Sequence, residues 1–267
     1  IAFPSTSLAQ ITPDTTLPVN STVTPNGNIS IIEGGTRAGN NLFHSFESFS
    51  IPTGNAAFFN NAIEIQNIFS RVTGNSISNI DGIIRANGIA NLFLINPNGI
   101  NFGANARLNI GGSFFASTAR SLTFADGSQF STAPNSQTPP LLTVNVPIGL
   151  QLGTNAAPIQ VQGSRLAVQP GQTLALVGGD VTIAGGNLLA PGGRIELASV
   201  RSGNWLLGNN NEQLVTNYGN IRLDQQAILD TSNIGAGEIQ LTGGQVTLTG
   251  RSQVTANTLE NKNGGNI

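Results

Sequence analysis

Apolar and polar residues alternate along this chain in short stretches, and Gly, Asn or Pro breaks nearly every one of them. Ile, Val, Leu, Phe and Thr fill the alternating positions, so the pattern predicts short half-buried strands joined by tight turns. Helical periodicity is nearly missing, and the chain is expected to be all β.

The second half carries an internal repeat, Gly-x-apolar-x-apolar. It reads GDVTI from Gly179, GRIEL from Gly193, GNIRL from Gly219, GEIQL from Gly237 and a cut-off GNI from Gly265. The steps are irregular: 14 (193−179), 26 (219−193), 18 (237−219) and 28 (265−237). Within one unit Ile239, Val246 and Val254 stand 7 (246−239) and 8 (254−246) residues apart. Three short strands per turn, each sending alternate residues inward, predict a parallel β-helix with coils of roughly 20–25 residues. A propeller blade needs longer units. The glycines are expected at coil corners, where they and Asn tolerate positive φ.

A rod of stacked coils exposes a sheet end unless it is covered. The segment from Ile11 to Gly35 opens with Pro13 and Pro18 and then turns strand-like, so residues 10–35 are expected to form an N-terminal cap. At the other end Asn261 to Ile267 stops in mid-repeat, as if the chain continued into further coils. The Pro/Ser/Gln-rich piece Ser131 to Pro140 interrupts the rungs and is followed by the strand-like LLTVNVPIGLQL. Residues of about 120–160 are therefore expected to leave the helix and lie on its flank. Residues 10–267 then form a single domain, a size ordinary for one all-β unit.

The most composed stretch is NLFLINPNGINF, from Asn91 to Phe102. Asn96, Pro97, Asn98 and Gly99 match a type I turn position by position, with Pro at i+1 and Gly at i+3; a primed turn on Asn98 and Gly99 is the alternative. Either turn makes NLFLI and INF strands that meet at one corner.

Composition removes other possibilities. Charged residues make up 9 % and the net charge is −2, so no basic stripe exists for nucleic acid. Cysteine is absent, which excludes disulfides and thiolate metal sites. No apolar run approaches the ~18 residues of a membrane-spanning helix. Residues 1–9 read as the remnant of a secretory signal cleaved after Ala9, or equally as a plain disordered terminus.

Several stretches taken in order resemble a known family: Asn41 to Phe59, Val72 to Gly103, Gly111 to Ala119 and Gly178 to Val200. Together they look like the amino-terminal secretion domain of two-partner secretion exoproteins, the filamentous-haemagglutinin-like proteins. The resemblance spans Gln10 to about Val200. It implies a right-handed parallel β-helix with an N-terminal β cap and extra-helical strands. It further implies a monomer that targets a large adhesin-like passenger through the periplasm to the cell surface or medium of a diderm bacterium. The implied partner is an outer-membrane β-barrel transporter, acting through its polypeptide-transport-associated domains. The family's Asn-Pro-Asn-Gly motif falls on Asn96, Pro97, Asn98 and Gly99. Around it Asn91, Leu92, Phe93, Leu94, Ile95, Ile100, Asn101 and Phe102 become the candidate recognition region. A second Asn-Pro-Asn element, found earlier in many members, has no counterpart in Asn60 to Ser70.

Two rival classes share the fold. A polysaccharide-active β-helix enzyme needs clustered carboxylates or a basic residue, often with calcium. The 13 acidic residues are scattered, Asp180, Asp224 and Asp230 fit rung corners, and the single His44, among Phe43, Phe46 and Phe49, reads as a hydrogen-bonded structural residue. Trp205 and Tyr218 stand alone, which speaks against a sugar platform. No catalytic residue, cofactor or metal is therefore expected. A plain adhesin shaft is the other alternative; the cap and signal-like start favour the secretion domain.

Overall fold

The computed structural model describes residues 11–133, 142–208 and 215–260. The signal-like start, most of the Pro-rich piece and the final Gly265 repeat lie outside the described residues. Every regular element among those described is a β-strand.

The strands stack in parallel on three faces of a β-solenoid. The first face runs through Asn41–Phe49, Asn67–Val72, Asn91–Ile95, Phe114–Ser117, Thr173–Gly178, the start of Arg194–Leu206, and Glu238–Thr242. The second runs from Ser78–Ile80 through Ile100–Phe102 to Gln245–Leu248. The third is built in two ladders, one holding Ala56–Phe59 and Ile83–Ala86, the other Asn187–Leu189 and Gln253–Thr255. Ile239, Val246 and Val254 fall on three different faces, as their spacing predicts. Uninterrupted coils measure 24 residues from Asn67 to Asn91 (91−67), 22 from Leu92 to Phe114 (114−92) and 21 from Thr173 to Arg194 (194−173).

Two coils are longer, 60 residues from Phe114 to Leu174 (174−114) and 44 from Arg194 to Glu238 (238−194). Their surplus builds an antiparallel sheet outside the solenoid, in the order Gln129–Ser131, Ser121–Phe124, Pro147–Leu152 and the far end of Arg194–Leu206. Val215–Tyr218 returns along that last strand. The strand in LLTVNVPIGLQL begins only at Pro147. Ahead of it, the carbonyls of Thr143 and Asn145 accept the Nδ2 protons of Asn41 instead of entering a ladder.

The irregular repeat now has a cause. GDVTI and GNIRL belong to the second face, GRIEL and GEIQL to the first, and the extra-helical strand pair falls between units. Positive φ does not explain these glycines. A Cβ on Gly193 would lie 2.0 Å from the Gln172 carbonyl oxygen, and one on Gly237 would lie 2.0 Å from that of Gly193, neither residue having positive φ. They are glycine because adjacent coils touch backbone to backbone there.

Two apolar layers result. The bore of the solenoid holds Leu42, Ile68, Leu92, Phe114, Leu174, Ile195 and their neighbours. A second layer lies between the first face and the extra-helical sheet, where Phe43, Phe69 and Phe93 meet Leu122, Phe124, Phe130, Leu150 and Trp205. Phe43, Phe69, Phe93 and Phe115 stack in register, with successive ring centroids 5.0, 4.9 and 4.3 Å apart. Trp205 is fully buried and donates its Nε1 proton to Glu196 at 2.7 Å, so it presents no face to a sugar. Burial pushes the Glu196 carboxyl upward, against the hydrogen bond from Trp205 and the charge of Arg194.

An N-terminal β cap closes the rod. Ser21–Asn26 and Ile29–Gly34 form an antiparallel hairpin that joins the third face through Ala56–Phe59, with Ile32 in the bore and Val23 packed on it. His44 lies in the bore beneath it, its Nδ1 3.0 Å from the Ser21 hydroxyl.

Candidate functional site

The corner between NLFLI and INF is built almost wholly by asparagine. The Gly99 amide donates to the Asn96 carbonyl at 3.2 Å, closing a four-residue turn with Pro97 and Asn98 at its centre. Asn98 is not among the residues with positive φ, so the turn is type I and the primed alternative is excluded. Asn96 is completely buried. Its Oδ1 accepts the Asn98 backbone and side-chain N–H groups, each at 3.0 Å. Its Nδ2 donates to the Ser76 carbonyl and the Ser78 hydroxyl, each at 2.9 Å. Asn98 Nδ2 also reaches the Gly74 carbonyl at 2.7 Å. One side chain shapes the corner, and both bond it to the preceding coil.

The flanking strands have no free side. Asn91–Ile95 pairs with Asn67–Val72 below and Phe114–Ser117 above. Ile100–Phe102 pairs with Ser78–Ile80 and Ile159–Gln162. Leu92 and Leu94 fill the bore, while Phe93 and Ile95 fill the second layer. That double burial explains an apolar run where simple alternation would suffice for a one-sided sheet. Ile100 and Phe102 also face the bore. Of the candidate recognition region only Asn91 and Asn101, beside Pro97 and Asn98 of the motif, are partly exposed.

Sequence reasoning missed why Asn91 and Asn101 are asparagines. Asn67 donates to Asn41 at 2.9 Å and Asn91 to Asn67 at 3.0 Å, and the Ser113 amide donates to Asn91 at 2.8 Å. This is a carboxamide ladder up the first corner. Asn101 donates to Asn79 at 3.0 Å in the same way on the second face. The spacing of Asn41, Asn67 and Asn91 by one coil length was the available signal.

Residues 91–102 contain no ionisable side chain. No group of His, Cys, Asp and Glu among the described residues could hold a metal ion. Asp180 pairs with Arg201 and accepts the Asn220 amide at a corner. Asp224 pairs with Arg222, and Asp230 accepts the Ser232 amide. Asp224 and Asp230 serve their own turns, while Asp180 ties its corner to Arg201 and to the Asn220 amide of the next coil.

A capped solenoid with a sheet on one flank, and its most composed motif forming a coil corner, is a β-solenoid domain. The family is narrower: the model of the TPS secretion domain matches residues 9–255, and the chain belongs to that family. The domain is thus the secretion domain of an exported exoprotein of Gram-negative bacteria, a two-partner system with a transporter partner. Among solved structures, the HMW1 secretion domain from Haemophilus influenzae shares the fold, with a TM-score of 0.55 and 21 % identity over 96 % of this chain and 67 % of that one. The filamentous hemagglutinin secretion domain gives a TM-score of 0.48 and 14 % identity over 96 % of this chain and 99 % of that one. No curated protein matches the chain.

Proposed function

We propose that residues 10–267 act as one secretion-targeting unit, capped by residues 10–35 and flanked by an excursion of residues about 120–160. The unit directs a larger adhesin-like exoprotein from the periplasm to a dedicated outer-membrane β-barrel, whose polypeptide-transport-associated domains capture it as an extended chain. Once outside, the monomeric solenoid nucleates the coils that follow, in the medium or at the cell surface. It has no catalytic role.

The observation that carries this reading is the family match over residues 9–255, with the Asn-Pro-Asn-Gly motif at a formed corner. The state of the strands favours capture before folding. Their edges are both paired and their apolar side chains buried, so capture of the Asn91–Phe102 strands by adding them to a sheet edge requires an unfolded segment. Adding such a segment to a sheet edge uses backbone groups and desolvates no charge.

The test is co-expression with the cognate transporter, comparing periplasm and medium for the parent, Asn98→Ala and Gln162→Ala. Release of the parent should depend on the transporter, Asn98→Ala should be released less, and Gln162→Ala, an exposed change outside the corner, should match the parent. Transporter-independent release would overturn the targeting role. Equal release of the two variants would remove the corner from it.

A further inference from the structure

Arg71 is the largest charged side chain buried in this fold, and it is completely enclosed. It sits on Asn67–Val72 and points away from the bore, between the N-terminal segment and the extra-helical sheet. Three segments share its guanidinium. Nη2 donates to Thr16 Oγ1 at 2.8 Å, Nε donates to Ser45 Oγ at 2.8 Å, and Nη1 donates to the Ser131 carbonyl. The guanidinium also lies over the Phe130 ring, 4.3 Å from its centroid.

The countercharge is Asp14, reached through hydroxyls. Thr16 Oγ1 donates in turn to Asp14 Oδ1 at 2.6 Å, and Ser45 Oγ donates to Asp14 Oδ2 at 2.7 Å. Thr73 donates to the same Oδ2 at 2.5 Å. The Thr16 and Ser45 hydroxyls thus each accept from the cation and donate to the anion, while Thr73 only donates. Burial raises the Asp14 carboxyl, but the bonds from Thr16, Thr73 and Ser45 outweigh it and hold the group below its usual range. Burial lowers Arg71 to about 10, which leaves it charged at neutral pH.

Removing any one acceptor leaves a buried donor of the cation unpaired, which is costly in a low-dielectric interior. The N-terminal segment and Gln129–Ser131 share no ladder: Ile11–Pro13 pairs with Asn41–Phe49, and Gln129–Ser131 with Ser121–Phe124. Yet both complete the shell of one guanidinium. We infer that Arg71 is a clasp that couples the N-terminal segment to the extra-helical sheet, so that each holds firmly only when the other is in place. Assembly of the outer layer on the first coils therefore waits for residues as late as Ser131. Leu17 reaches the same apolar layer as Phe130, so packing adds a weaker second link.

The experiment is amide hydrogen exchange on the 267-residue chain. Thr16→Val removes a relay hydroxyl without changing side-chain shape. It should speed exchange of the Thr132 amide, which donates to the Arg120 carbonyl, by about tenfold. It should leave Gln253–Thr255 in the last coil unchanged. In an Arg71→Met background the same change should have less than about a threefold effect. Unchanged exchange at Thr132, equal acceleration in the last coil, or an undiminished effect without Arg71 would each overturn the clasp. Should Arg71→Met fail to fold, Phe130→Leu in the parent must speed exchange of the Asp14 amide, which donates to the Ser45 carbonyl, by a similar factor; no change there would overturn it as well.

Discussion

Asn98 Nδ2 lies 2.7 Å from the Gly74 carbonyl oxygen, which bonds the corner of one coil to the corner of the coil beneath it. Asn98 is half-buried, whereas Asn96 two residues before it is wholly buried and makes four side-chain hydrogen bonds, to Ser76, Ser78 and Asn98. Asn96→Ala leaves buried groups unpaired and should cost about 1–3 kcal/mol or more, and Asn98→Ala about 1 kcal/mol. Urea unfolding midpoints measure both. A larger loss for Asn98 would mean that the corner is held from its exposed side.

Neighbouring residues of one strand should report on different layers. Leu92→Ala opens the bore and Phe93→Ala opens the layer under the extra-helical sheet, at about 2–5 and 3–5 kcal/mol. Only the second should shift the emission of the single Trp205 in the folded protein, since Trp205 belongs to that layer. Fluorescence spectra of both variants before unfolding decide the matter. Phe58→Ala, on a half-exposed side chain, should cost much less.

Coil contact predicts opposite outcomes for two glycines two residues apart. A Cβ on Gly237 meets the Gly193 carbonyl oxygen at 2.0 Å, while one on Gly235 meets nothing within 4 Å. Gly237→Ala should lose about 1–3 kcal/mol to overpacking. Gly235→Ala should stay within about 1 kcal/mol and can even stabilise, because alanine narrows the unfolded ensemble. Thermal melts of the two variants side by side are sufficient.

Acid should weaken the cap end of the bore. His44 is buried and neutral, and burial lowers its pKa from 6.5 to about 3. The unfolded chain takes up a proton below 6.5 that the folded chain refuses until about 3. Stability is therefore fully present above 6.5 and declines through that window, approaching about 1.4 kcal/mol per pH unit. His44→Gln should flatten the fall between about pH 6 and pH 4, read from urea midpoints at each pH. An unchanged slope would assign the acid sensitivity to carboxylates instead.

The corner was legible in the sequence because every interaction that defines its type is local. Pro97 presets φ, Asn96 bonds two residues ahead, and Gly99 closes the turn. The roles of Asn91 and Asn101 were not legible, because their partners Asn67 and Asn79 lie one coil away and become neighbours only through stacking. Arg71 gave still less signal: its partners Thr16 and Ser131 are 55 and 60 residues distant.

The alternation of apolar and polar residues, the turn residues between them and the spacing of Ile239, Val246 and Val254 by themselves determined an all-β solenoid of three faces. Those are properties of single strands and of the turns that join them. Only the tertiary structure decided why Gly193 and Gly237 are glycine, where Phe93 and Ile95 are buried, and that Arg194–Leu206 runs on out of the solenoid to carry Trp205. The physical reason is that a side chain's second surface is supplied by another coil or by the flank. Which residue meets it depends on register and on the two long insertions, and no local periodicity records either.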